Sequence, residues 1–244
     1  MVDAGVMQGV DEVIGIHLIS LIPVGKVVVK SGPFMAAPDT FHITIRGKGG
    51  HAAQPNQCVD PLVIGAEVVV NLQHIVSRNI DPLDPLVVSV TQFHAGTATN
   101  IIPDTVELAG TVRSFQAELR EEVPALMERI VKGITEAHDA AYEFSYQQGY
   151  RPVINDESVT EKVRQALIAV FGEETVVEGK PGMGAEDFSA YQSVVPGTFF
   201  NVGAGNADKG ITYPHHHPRF TVDEDALPVG VASFVGIVLK TMGE

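Results

Sequence analysis

Asp39-Thr-Phe-His-Ile-Thr-Ile-Arg46 alternates apolar and polar side chains along its length, with Phe41, Ile43 and Ile45 set against His42, Thr44 and Arg46. A period of two is that of a strand with one buried face. Downstream, Asp60-Pro61 offers an N-cap carboxylate and a first-turn proline. Leu62, Ala66, Val69, Leu72 and Val76 then recur at helical spacing, which predicts an amphipathic helix ending near Asn79. Leu86 to Phe93 and Thr105 to Phe115 read as strands joined through the loop His94 to Asn100. Ala117 to His138 reads as a long helix with a kink expected at Pro124, and Tyr142 to Gln148 as a last strand. Strand, helix, strand, strand, helix, strand is the order of a ferredoxin-like split βαβ unit. Residues 39–149 are therefore expected to form an inserted α+β domain.

The flanking chain is α/β in pattern. Val13 to Leu18 and Lys26 to Lys30 are short strand candidates, and Ser31 to Pro38 is rich in breakers, so a domain boundary is placed there. After Arg151-Pro152 come a helix from Asp156 to Phe171, a glycine-rich loop Gly179 to Ser189 leading into a short helix, an apolar strand Pro196 to Val202, and a helix from Asp223 to Met242. Residues 1–33 and 151–244 are thus expected to build one outer domain around the insertion.

With 45% hydrophobic residues in 244, the chain can bury a sizeable core. Sixteen basic against thirty acidic residues give a net charge of −14, which argues against nucleic acid and anionic membranes as partners. Cys58 is the only cysteine, so no intrachain disulfide can form. No apolar run approaches a membrane span, and no leader pattern opens the sequence. A cytoplasmic protein is expected. Met1 to Val10 runs straight into a strand-like stretch, as though the chain opened in mid-motif.

Two loops hold the candidate chemistry. Gly47-Lys-Gly-Gly-His-Ala-Ala-Gln-Pro55 fits neither a Walker A loop nor a dinucleotide fingerprint, which leaves His51 as its one functional side chain. Ile211-Thr-Tyr-Pro-His-His-His-Pro-Arg-Phe220 holds three histidines between prolines that stiffen the backbone. Imidazole is a common zinc ligand, but a site needs about three or four protein ligands, so partners must come from elsewhere, or the run is a polar surface loop. His17 and His216 both belong to strand ends of the outer domain, the usual place for a site in an α/β sheet. His17 reads equally as a hydrogen-bonded core histidine. Glu186 and Asp187 are the best carboxylates at hand, and read equally as acidic residues at a helix N-terminus.

Val10-Asp-Glu-Val-Ile-Gly-Ile-His-Leu18, Gly47 to Pro55, Thr99-Asn-Ile-Ile-Pro-Asp104 with Thr111-Val-Arg-Ser-Phe115, Gly184-Ala-Glu-Asp-Phe-Ser189 and His216-His-Pro218 together resemble five ordered motifs of one family. It is the dinuclear metallopeptidase family of aminoacylases, carboxypeptidases, N-acetyl-diaminopimelate deacetylases and auxin-conjugate amidohydrolases. The resemblance implies a zinc-exopeptidase-like catalytic domain carrying the insertion as a lid and dimerisation domain. It implies a divalent metal, zinc foremost with Mn, Co or Ni as alternatives, with His17 on one ion and His216 on the other. It makes His51 the residue that stabilises the oxyanion in the partner subunit's site, and Asn100, Arg113 and Glu186 substrate-binding residues, with Arg113 suited to a free carboxylate. His215 and His217 receive no role.

The family's cysteine-x-histidine pair and adjacent glutamates, one of them the general base, have no counterpart before His17. Cys58 lies in the lid, and Glu173-Glu174 lies at a helix end. The expectation is the C-terminal part of a metal-dependent amidohydrolase or peptidase acting on an N-acyl amino acid or peptide amide beside a free carboxylate. The alternatives are a non-catalytic dimeric or ligand-binding remnant of such an enzyme, and a simple metal-binding protein using the histidine run. Weak metal binding, exposed apolar surface at an unpaired sheet edge, and a homo-oligomer formed through the lid are also expected.

Overall fold

The computed structural model describes residues 1–243, which divide into two compact units. The first comprises Met1–Met35, Val153–Gly182 and the chain from Glu186 on; the second comprises Ala36–Pro152 and Met183–Ala185. The first unit opens with strands β1 (Val13–Pro23), β2 (Val27–Val29) and β3 (Gly32–Met35). The second follows with β4 (Ala37–Arg46), β5 (Gly50–His51), α1 (Pro61–His74), β6 (Leu86–Ala95), β7 (Ile101–Ile102), β8 (Thr105–Ser114), α2 (Ala117–Ala137) and β9 (Ala141–Gln147). The chain then returns to the first unit through β10 (Val153–Asn155), α3 (Glu157–Phe171), β11 (Val176–Glu178), α4 (Ser189–Gln192), β12 (Gly197–Gly205) and α5 (Ala226–Met242).

In the second unit the strands lie in the order β6-β8-β4-β9, every neighbour antiparallel. This is the split βαβ order expected from the alternation at Phe41, Ile43 and Ile45, all three of which are buried. Asp60 caps α1, its Oδ1 accepting from the Leu62 amide at 2.9 Å. The buried face of α1 differs from expectation. Ile64, Val68 and Leu72 face the core, with Ile75 beyond them, while Leu62 and Val76 are exposed. Apolar residues fill Pro61 to Ala66 and Val68 to Val70 without a break other than Glu67, so spacing over these turns could not select the face. The row with Gly65 in it packs closest: a Cβ there would stand 3.0 Å from Val106 and 3.2 Å from Phe93.

Asp39 carries the second unit's one fully buried carboxylate among the described residues. Arg120 of α2 approaches it in a bidentate pair, Nε to Oδ2 at 2.9 Å and Nη2 to Oδ1 at 2.6 Å. The Tyr146 hydroxyl and the Gly149 amide each donate to it at 3.0 Å. Burial first, and the Asp39 charge second, push the Tyr146 phenol well above its ordinary range. One carboxylate thereby ties β4, α2 and the end of β9 together, and every lone pair is matched, as a buried charge requires.

In the first unit the sheet order is β1-β12-β2-β11. β1 runs parallel to β12 with His17 opposite Asn201, and β12 is antiparallel to β2. Asp156 caps α3 by accepting from the Val159 amide at 2.9 Å. The breaker-rich Ser31 to Pro38 is not a connector: Gly32–Met35 forms β3, which pairs antiparallel with β10, and β4 already begins at Ala37. Glycine and proline are tolerated there because β3 belongs to a two-stranded ribbon whose other side is met only at its end, where the Gly182 amide donates to the Phe34 carbonyl. No helix among the described residues is long and apolar enough to cross a membrane.

Arg120→Ala, which strands the Asp39 charge, is expected to cost about 3–5 kcal/mol. Denaturant unfolding followed by tyrosine fluorescence measures it, since the chain has no tryptophan; a cost within about 0.5 kcal/mol of zero would contradict the role given to the pair.

Candidate functional site

A glycine prepares the site on β1. Gly15 lies two residues before His17, on the same strand face, and a Cβ there would fall 2.5 Å from the Phe199 ring and 2.9 Å from that of Phe188. Its absence lets Phe188 and Phe199 pack with centroids 5.0 Å apart, within a small cluster completed by Phe34 and Val153. Phe188 ends the glycine-rich loop, so seating its ring brings Glu186 to the strand. Glu186 Oε2 stands 2.6 Å from His17 Nε2, while Phe199 meets the other side of the imidazole edge-on at 5.3 Å. Glu186 is thus more than a helix-terminus acid, and His17 is a half-exposed strand residue with a carboxylate partner rather than a sealed core histidine.

The histidine turn is fastened at several points. Asn206 and Ile211 exchange backbone bonds at its start, and the Ser20 hydroxyl donates to the Tyr213 carbonyl at 2.7 Å. Beyond its end, buried Asp223 accepts from Asn206 Nδ2 at 2.6 Å and from Lys209 Nζ at 2.8 Å. The Lys209 bond, then the Asn206 bond, hold the Asp223 carboxyl down at about 2. Ser20, Asn206, Lys209 and Asp223, whose side chains do this fastening, show no periodic or motif signal in the sequence.

The three histidines have different surroundings. His217 stacks on Tyr213 with centroids 4.3 Å apart, and its Nδ1 accepts from the Arg219 amide at 3.0 Å, so it packs the turn itself. His215 faces the strand, 6.0 Å from His17 and 4.5 Å from Phe220 by ring centroids. Burial first, then the neighbouring His17, keep the His215 imidazole below its ordinary value. His216 has φ 66°, a left-handed conformation that costs a non-glycine residue about 1 kcal/mol or more and concentrates at functional sites.

Among the described residues no three His, Cys, Asp or Glu side chains group closely enough to hold a metal ion. The described side chains therefore do not make a metal centre by themselves. Glu173-Glu174 gives no help. The pair precedes β11, the strand at the opposite edge of the sheet and three inter-strand spacings from β1, about 14 Å away.

The second unit holds the other three candidates. His51 on β5 lies opposite Ile101 of β7, and the Ala52 amide donates to the Asn100 carbonyl at 3.1 Å, so the His51 and Asn100 loops are neighbours. Arg113 is not with them. It lies eight residues along β8 from Thr105, about 27 Å at strand rise, near the far end of the sheet.

A mixed sheet packed against helices α3 and α5 and interrupted by a four-stranded α+β unit is an architecture shared with a solved metallopeptidase. A dinuclear metal-binding peptidase of the M20 family from Bacillus subtilis superposes with a TM-score of 0.80 at 35% identity, over 98% of this chain and 60% of that one. Residues 1–240 match peptidase family M20/M25/M40, and the chain belongs to that family. An N-acyl-L-amino acid amidohydrolase of Geobacillus stearothermophilus is 64% identical over 64% of this chain and 42% of its own length. A thermostable carboxypeptidase of Saccharolobus solfataricus is 40% identical over 98% of this chain and 61% of its own. The chain thus spans about three fifths or less of the proteins it matches.

Because the folded Asp223 value of about 2 lies below the ordinary 3.8, its contribution to stability is full above about pH 4 and is lost as the pH falls through 2. Asp223→Asn is expected to lower the melting temperature at pH 7 and to flatten the acid limb between those two values. Melts followed by circular dichroism across that range check both; an unchanged acid limb would contradict the assignment.

Proposed function

We propose that the chain serves a metal-dependent amidohydrolase or peptidase that cleaves an N-acyl amino acid or peptide amide next to a free carboxylate. The observation that carries this is the division of the polar residues into a His17–Glu186 pair in one unit and a His51–Asn100 pair in the other, within a chain of the M20 family. The names of the amidohydrolase and carboxypeptidase relatives support the substrate class. His17 and His216 are the residues of this chain that would hold divalent metal, zinc foremost, which would polarise the amide carbonyl. His51 stabilises the developing oxyanion, and Asn100 helps to hold the substrate. Arg113 grips the substrate carboxylate, and its distance from His51 supports their serving different sites of an oligomer.

Self-association through the second unit supports that sharing. β6 is an edge strand of ten residues with no lysine, proline or acid in it. Beside it α1 turns Leu62, Val63 and Val70 outward, the last two 52% and 64% exposed. Edge and helix face are continuous where Phe93 packs on Gly65. A dimer extending the sheet at β6 would bury both. Val63→Glu with Val70→Glu is expected to yield a monomer by light scattering; an unaltered oligomer would exclude this face.

A second reading, a non-catalytic dimeric or ligand-binding remnant, is favoured by the missing third metal donor among the described residues. Under both readings the purified chain, supplied with zinc, is expected to bind metal weakly and to hydrolyse N-acyl amino acids no faster than buffer. Calorimetry and an amine-release assay measure the two. Hydrolysis that disappears in His216→Ala would make the chain a complete catalyst and discard the second reading.

A further inference from the structure

Three places where the chain passes from one unit to the other stand side by side. The chain leaves the first unit between Met35 and Ala36 and re-enters it between Pro152 and Val153. It leaves again between Gly182 and Met183 and returns between Ala185 and Glu186. Met35 and Val153 are register partners of β3 and β10, and Met35 also forms an isolated parallel bridge with Gly182. The Gly182 amide donates to the Phe34 carbonyl at 2.9 Å, and the Ala36 amide donates to the Gly184 carbonyl at 2.8 Å. Val153, Met35 and Gly182 are thus neighbours, and a hinge running across them bends three chains together. Hinges are made of such a few element-terminal residues, which absorb the change in backbone dihedrals.

The fourth passage lies off that line. Met183–Ala185 forms a three-residue strap that belongs with the second unit, although Gly182 and Glu186 on either side of it belong with the first. Within the second unit, Gly184 is held by the Ala36 amide. Within the first, Phe188 is buried in the cluster of Phe34, Val153 and Phe199. Only Ala185, Glu186 and Asp187 lie between these two anchors. Glu186 is the residue whose Oε2 meets His17 Nε2 at 2.6 Å, while its Oε1 accepts from the Asp187 amide at 3.1 Å. Its carbonyl accepts from the Ser189 hydroxyl at 3.1 Å, so a pull on the strap tilts the turn that leads into α4, and the carboxylate with it. Relative motion is the default for units joined by linkers. A covalent strap with one end on each unit cannot stay still during it.

We propose that the strap couples the His17–Glu186 pair to the position of the second unit. A turn about the Met35 line draws Ala185 along with the second unit, tilts Glu186 and parts its carboxylate from His17. The pair then has two discrete states, formed and parted, and the second unit biases them, which is what a physical coupling requires. Strap and pair are present whatever the chain acts on, so the coupling goes beyond the reaction proposed above.

Relaxation dispersion of the full chain reads motion on the microsecond-to-millisecond scale of a hinge. The expected result is exchange at the Ala36 and Val153 amides, at the Glu186 and Asp187 amides and at the His17 ring, all with one common rate. Two glycines inserted between Gly184 and Ala185 leave both anchors in place and give the strap slack. The insertion is expected to keep the exchange at Ala36 and Val153 and to reduce its amplitude at Glu186, Asp187 and His17 at least about threefold. A hinge that exchanges while Glu186 is silent, different rates at hinge and strap, no exchange at either, or full amplitude at Glu186 in the insertion variant would each overturn the proposal. The first three are read from the unaltered chain and need no variant that folds. Hydrolysis and metal binding play no part in the readout, so their failure would leave the coupling standing.

Discussion

Parallel pairing of β1 with β12 is the constraint from which the first unit follows. A parallel pair cannot be closed by a hairpin and demands a crossover. Here the crossover runs from Pro23 to Gly197 and contains a whole second fold. Closure entropy grows only with the logarithm of loop length, so a long excursion costs little more than a short one if it folds by itself. The second unit does so, with its own core around Phe41, Ile43, Leu72, Leu108 and Met127. Its entry and exit are held side by side because β3 pairs with β10. Asn155 at the end of β10 fixes that ribbon to the main sheet, bonding the Lys30 and Phe199 carbonyls at 2.7 and 2.8 Å and accepting from the Phe199 amide. Phe199 in turn packs on His17, so the geometry that closes the insertion also supports the site.

Legibility in the sequence varied with the physics of each element. The alternation at Phe41, Ile43 and Ile45 could be read because only one face of β4 is buried. The cap at Asp60 could be read because a short acid before a helix acts locally. The face of α1 was hard to read, since its first three turns are apolar at every position but Glu67 and encode burial with little direction. β3 was hidden by its glycine and proline, and β11, at three residues, is too short for any period to register. The Asp39–Arg120 pair was invisible for another reason: Asp39 continues the polar positions of a half-buried strand by type, while its register places it among the inward ones, with Phe41 and Ile43.

The candidate site was legible as motifs and illegible as contacts. His17 and Glu186 are separated by 169 positions, and only the packing of Phe188 against a missing Cβ at Gly15 explains how they meet. In the histidine run the residue types are identical, so nothing in the sequence could assign a separate task to each ring. Tyr213 takes His217, His17 and Phe220 take His215, and backbone geometry singles out His216. Likewise Asn100 and Arg113 are close in sequence, but a strand intervenes and carries them to opposite ends of a sheet.

The β3–β10 ribbon has a consequence for the history of such chains. Because Met35 and Val153 are register partners, a genetic exchange that replaced everything between them would leave two adjacent, hydrogen-bonded strand ends. The host unit would keep both its sheet and the His17–Glu186 pair. Whatever cassette was spliced in would need only two termini a strand spacing apart, a condition met by any fold whose first and last strands are neighbours, as β4 and β9 are here. Lineages built on this ribbon can therefore trade their inserted half without rebuilding the half that carries the histidine turn.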